Sequence, residues 1–194
     1  MAEPLKGETL LDSADEHLAV LGFLQQVLRQ PPSAVLGADA ARESFDGEEA
    51  DRDFRRLFEG PEKPACPPWE SAFASDDDLL FQRETLAVRA FYRKYGLALD
   101  TPGREPEDHI AYELAFCSHL LGAVKQASDA GEHAECSRIS TDLGSFFRDH
   151  VGSWGPPWCD QLAAKAASPF YREVAATLKE ELEVLGDQLP ETAV

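Results

Sequence analysis

Apolar positions return every three or four residues along most of the chain, and the alternation that a half-buried strand needs is almost absent. Leu18, Leu21, Leu24 and Leu28 share one face of a helix predicted from about Ser13 to Gln30. Pro31 and Pro32 stop it, because neither donates to the hydrogen-bond ladder. Phe54, Leu57 and Phe58 form a second apolar set in "ADRDFRRLFEG", which ends at Gly60–Pro61. "GPEKPACPPWESAF" carries four prolines among its first nine residues and reads as loop.

From about Asp76 to Tyr95, the positions Phe81, Thr85, Val88, Tyr92 and Tyr95 step by four, three, four and three. That is one stripe of an amphipathic helix, with the run "SDDD" ahead of it as a cap. "LDTPGREP" links it to a helix from Pro106 to about Ala130, whose stripe is Ile110, Leu114, Cys117, Leu121 and Val124. Tyr112, Phe116 and Leu120 widen that face, so this helix is predicted to be central. Another, from about Glu132 to His150, uses Cys136, Ile139, Leu143, Phe146 and Phe147. "VGSWGPPW" reads as a sharp break, followed by short helices at 157–167 and 169–187. The last carries Phe170, Val174, Leu178, Leu182 and Leu185. The pattern predicts a single all-α domain of seven to eight helices over 1–194, with disordered ends at about 1–12 and 188–194.

Charge narrows the choice of partners. Eighteen basic residues against 36 acidic ones leave a net charge of −18. Phosphate backbones and anionic membranes are repelled, so neither nucleic acid nor membrane is expected as a partner, whereas a basic segment is attracted. No apolar run approaches the ~20 residues that span a bilayer. The start "MAEPLKGETLLDSADEHL" lacks a basic stretch followed by an apolar one, and the four cysteines include no CxxC pair. Both features point to the cytoplasm.

Little in the sequence suggests catalysis. There is no glycine-rich phosphate loop, nucleophile elbow or HExxH pair. His133 and Cys136 lie one helical turn apart, but a closed zinc site needs four ligands and no second pair accompanies them. His109 and Glu113 likewise lack the facing partner motif of a di-iron bundle. No catalytic residue, metal or cofactor is expected, and the chain does not read as an enzyme.

One stretch, "EPEDHIAYELAF" at 105–116, concentrates unusual chemistry at a predicted helix start. Pro106 suits the first helical position, and Glu107 and Asp108 would then lie in the first turn, where the helix dipole favours negative charge. The stretch resembles the Glu-Pro-Pro-Asp-His motif of the TorD/DmsD/NarJ family of molybdoenzyme maturation chaperones. Glu105, Pro106, Asp108 and His109 match, while Glu107 stands where a second proline is usual. "FRRLFEGP" resembles that family's Tyr-x-x-Leu-Phe motif, with Phe54 in place of tyrosine. "CPPWESAF" is similar to its aromatic–Glu–Ser segment, here Trp69, Glu70 and Ser71. "FFRDHVGSWGPPW" resembles its Phe-x-x-His-x-x-x-Trp segment, given by Phe147, His150 and Trp154. The four occur in the family's order, across roughly residues 15–185.

The resemblance implies an all-helical chaperone that binds the N-terminal twin-arginine leader, or its remnant, of a molybdopterin-containing oxidoreductase subunit. It would assist cofactor insertion and assembly before export. A monomer is implied, with a helix-exchanged (domain-swapped) dimer also open. A leader offers two guanidiniums followed by an apolar segment, so the binder needs carboxylates beside an apolar groove. The residues expected to serve are Asp108, His109, Glu105 and Glu107, with Trp69, Phe54, Leu57 and Phe58 lining the groove. The competing reading is an acidic helical adaptor for an unrelated basic protein surface.

Overall fold

The computed structural model describes residues 10–37, 45–60, 63–75, 82–100 and 105–190. It is all-α. Nine α-helices run in chain order among the described residues: α1 (Ala14–Val27), α2 (Pro32–Leu36), α3 (Gly47–Phe54), α4 (Glu70–Ala74), α5 (Arg83–Lys94), α6 (Ile110–Asp129), α7 (His133–Asp149), α8 (Val151–Lys165) and α9 (Pro169–Gln188). A π-helical turn, Arg55–Glu59, continues α3. The two short helices α2 and α4 lie where the prolines had predicted only linker. Pro32 sits in the first turn of α2, where its missing N–H costs nothing. The start of the predicted 76–95 helix, including Phe81 and the cap run from Asp76, lies outside the described residues.

Helix α6 is central, as its wide apolar face predicts. Ile110, Leu114, Cys117, Leu120, Leu121 and Val124 are all buried, and α1 and α7 pack along it. Helices α8 and α9 pack on each other, and α9 closes back on α1. At that closure His17 Nδ1 meets Glu181 Oε1 at 2.6 Å, and the hydrogen bond to this carboxylate raises the His17 pKa despite burial. Leu10 and Leu189 are both buried, so residues 10–12 and 188–190 join the packed body instead of the predicted disordered ends. Residues 1–9 and 191–194 lie outside the described set.

The predicted break at "VGSWGPPW" is displaced. The chain turns at His150 (φ −127°, ψ −115°), and α8 then runs straight through Pro156 and Pro157. Both prolines lie on the more open side of α8, while Trp154, Gly155, Trp158, Cys159 and Leu162 are buried. The two carbonyls left without donors belong to half-buried Gly152 and exposed Ser153, where solvent reaches them. Burial of the tryptophan-rich face outweighs helix propensity here.

Candidate functional site

Three of the four motif segments, far apart in sequence, meet at the start of α6. Trp69 and His109 form an isolated antiparallel bridge. The Ile110 N–H donates to Pro68 O at 2.8 Å, and the Glu70 N–H donates to Asp108 O at 2.9 Å. Asp108 then works outward from the turn. Its Oδ2 accepts the Ser71 N–H at 2.7 Å, and its Oδ1 accepts the Thr85 hydroxyl at 2.8 Å. It thereby caps α4, whose own N-cap residue Trp69 supplies no side-chain cap, and ties α4 to α5. Helix α6 begins only at Ile110, not at Pro106, because 107–109 are held in this turn and bridge. His109 is its N-cap. The Nδ1 of His109 accepts the Ala111 N–H at 3.1 Å, so the proton sits on Nε2.

Behind this turn lies a buried polar knot. His150 Nδ1 donates to Glu70 Oε2 at 2.8 Å, and Trp154 Nε1 donates to Glu113 Oε2 at 3.1 Å. Burial, and the neighbouring Glu70 carboxylate, push the Glu113 carboxyl well above its ordinary value, so it holds its proton. Among the described residues, Trp69 Nε1, Ser71 Oγ and Glu113 Oε1 are buried atoms that find no hydrogen-bond partner. Burial pushes the His109 pKa down to about 3, which keeps the ring neutral.

This placement is not the exposed one that the sequence reading expected. Asp108 is 0% exposed and His109 4%. Both Asp108 oxygens are committed inside, so neither is presented to a guanidinium from outside. Phe54, Leu57 and Phe58 are also interior rather than groove lining. Phe58 packs edge-on to Tyr171, with ring centres 5.4 Å apart, and stacks near Trp158. Trp69 is half-buried with its ring edge-on to His109 at 5.5 Å.

The open surface lies next door, where Glu105 and Glu107 flank the linker that follows α5. A cleft of about 270 Å³ is lined by Arg89, Tyr92, Arg93, Leu97, Ala98, Leu99 and Glu107. A second, of about 190 Å³, shares Tyr92 and 97–99 and continues to Tyr112, Ala115, Phe116 and His119. Glu107 accepts a two-pronged pair from Arg89, Nε to Oε1 at 2.7 Å and Nη2 to Oε2 at 2.8 Å. Glu105 accepts the Tyr112 hydroxyl, and its other oxygen lies 4.0 Å from His109 Nε2. Its side chain remains 32% exposed. The Arg29 guanidinium stands 4.5 Å above the Tyr112 ring.

Glu107 lines the first cleft although it is only 6% exposed and is paired with Arg89, Glu105 reaches the second through its bond to Tyr112, and Asp108, His109, Phe54, Leu57 and Phe58 line neither. Leu97, Leu99, Tyr112, His119 and Arg89 are among the lining residues that sequence reasoning missed. For Leu97 and Leu99 a signal was present in "GLALD": two leucines in a linker, spaced i and i+2, have no helical face to join.

Among the described residues, no helix is long and apolar enough to cross a membrane. Comparison with known proteins adds to this picture. The family model described as nitrate reductase delta subunit matches residues 13–160. The Tat proofreading chaperone DmsD of Salmonella typhi is 30% identical over 119 residues, covering 61% of this chain and 52% of that protein. The Tat proofreading chaperone DmsD of Salmonella paratyphi A is 33% identical over 119 residues, with the same shares covered. The chaperone protein TorD of Aliivibrio fischeri is 28% identical over 130 residues, covering 67% of this chain and 59% of that protein. The chain spans about half the length of the DmsD relatives it matches.

Proposed function

The chain belongs to the nitrate reductase delta subunit family, and on that premise we propose that it is a cytoplasmic maturation chaperone rather than an enzyme. Its client is the twin-arginine leader, or the leader's remnant, of a molybdopterin-containing oxidoreductase subunit. Binding holds that subunit back until its cofactor is in place. The likeness to proteins named Tat proofreading chaperone supports this reading. So do the four family motifs, which occur in the family's order. The whole of 10–190 acts in this reading as one helical domain.

The observation that carries the site is an apolar cleft with a half-exposed carboxylate at its rim. Tyr112 lines the cleft and its hydroxyl bonds Glu105, so the acid is held at the edge of the apolar floor. A guanidinium at Glu105 gains roughly 1.5–3 kcal/mol per well-placed charge-assisted hydrogen bond. The leader's apolar segment, laid over Leu97, Leu99 and the Tyr112 ring, gains about 25 cal/mol per Å² buried, less the cost of ordering the peptide. Asp108 and His109 serve in this reading as positioning residues. Asp108 fixes the turn from which Glu105 and Glu107 project, and His109 presents its Nε2–H toward Glu105.

Calorimetric titration of the full chain with a twin-arginine leader peptide tests the proposal. Roughly micromolar binding is expected, lost when both arginines become glutamine and weakened several-fold by Glu105→Gln. Absence of binding to any such leader overturns it. Binding that survives the loss of both arginines points instead to an adaptor for some other surface.

A further inference from the structure

We infer that Arg89 is a resident stand-in for a client arginine, and that a leader engages Glu107 by exchanging its own guanidinium for that of Arg89. The inference rests on the leader-binding reading above and adds a residue that sets its selectivity.

The geometry is that of an occupied guanidinium site. The Arg89 fork meets both Glu107 oxygens, at 2.7 and 2.8 Å, in the planar arrangement that arginine makes and lysine does not. The two partners are unequally placed. The Arg89 side chain is 28% exposed and that of Glu107 only 8%, so the guanidinium lies outermost and covers the carboxylate. Glu107 is also the fixed member. Its carbonyl accepts the Tyr92 hydroxyl at 3.1 Å, and the next residue, Asp108, is tied to both α4 and α5. Arg89 reaches over on a flexible stem from α5. Leu97 and Leu99 supply apolar walls around the pair.

Charge makes the exchange necessary. Arg93 lines the same cleft, so a leader arginine arriving at Glu107 with Arg89 still in place would put three guanidiniums beside that one carboxylate. Asp108 lies behind, buried and committed to its two donors. The newcomer therefore gains Glu107 only as Arg89 swings out. Swapping one forked pair for another changes the free energy little, but it sets a threshold: a cation that cannot fork does not displace one that does. The device belongs to this chain in particular, because Glu107 stands where the motif it resembles carries proline.

The experiment titrates the full chain and Arg89→Gln with two probes, a twin-arginine leader peptide and the same peptide with both arginines replaced by lysine. Arg89→Gln is expected to bind the arginine peptide roughly three- to fivefold more tightly, the worth of a partly exposed pair no longer broken. Its preference for arginine over lysine should also narrow relative to the unaltered chain. Equal or weaker binding by a variant with unchanged helical signal overturns the inference and leaves the leader-binding reading intact. Failure of the unaltered chain to bind either peptide overturns both. Should Arg89→Gln not fold, the side-chain Nε–H resonance of Arg89 in the unaltered chain decides. It should shift on adding the arginine peptide, and a resonance unmoved in the saturated complex rejects the exchange.

Discussion

Asp108 shows how a residue with the chemistry of a binding group ends up building the site instead. Its two oxygens satisfy a main-chain donor and a hydroxyl that would otherwise be buried without partners. Asp108→Ala should therefore lose about 3 kcal/mol of stability, read by urea denaturation, because each orphaned donor costs roughly 1–3 kcal/mol. Asp108→Asn should lose less, since the amide oxygen still accepts from Ser71 and the Thr85 hydroxyl rotates to accept from the amide NH₂. An Asp108→Ala variant with undiminished stability removes this account. Glu113 supplies the pH prediction. Its pKa is raised from the ordinary 4.5 by burial and by Glu70, so between 4.5 and the raised value the folded chain holds a proton that the unfolded chain has released. Stability from this group is present below that window and falls as pH rises through it. Glu113→Gln keeps an acceptor for Trp154 Nε1 and a donor toward Glu70, but has no proton to lose. It should be more stable than the parent near pH 8 and lose that advantage near pH 4, in thermal melts across the range.

The corner between α7 and α8 decides where the late motif points. A single residue, His150, separates the two helices, and the turn brings Gly152 against Phe147. A Cβ at Gly152 would lie 2.4 Å from the Phe147 ring and 2.7 Å from its carbonyl oxygen. The backbone cannot yield there, so Gly152→Ala should cost about 2 kcal/mol and loosen the corner that carries His150 and Trp154 into the polar knot. Gly155 is the control. A Cβ there meets side chains alone, Leu182 Cδ1 at 2.7 Å and Val151 Cγ2 at 3.5 Å, and no backbone atom. The gain in helix propensity, about 1 kcal/mol, offsets that crowding, so Gly155→Ala should be near neutral. Equal melting temperatures for the two variants would count against the rigid-corner account.

Across the whole molecule, a net charge of −18 attracts a basic leader before any specific contact forms. That long-range part is screened within about 8 Å at physiological ionic strength, whereas contact with Leu97, Leu99 and Tyr112 is not. On the proposed reading, leader affinity should therefore fall as salt is added and then level off, with the fall mainly in the association rate. Salt-independent affinity would assign recognition to the apolar cleft alone. A decline that never levels off would assign it to charge alone.

Fold class and helix order were legible in the chain itself, because a 3.6-residue apolar stripe has no stable home except a helix face turned toward a core. The central role of α6 followed from the width of its stripe, and the resemblance of the short motifs pointed to the family. Which acids face inward was not legible. Asp108, Glu107 and Glu105 are near neighbours of similar chemistry, and their fates part only through Ser71, Thr85, Arg89 and Tyr112, three of them 18 to 37 residues away. The start of α6, the shift of the corner to His150 and the tolerance of Pro156–Pro157 depend on the same kind of distant partner. Local periodicity reports how a segment prefers to coil, but burial of a charge is settled by the groups that arrive to neutralise it. Those arrive only when the chain closes on itself.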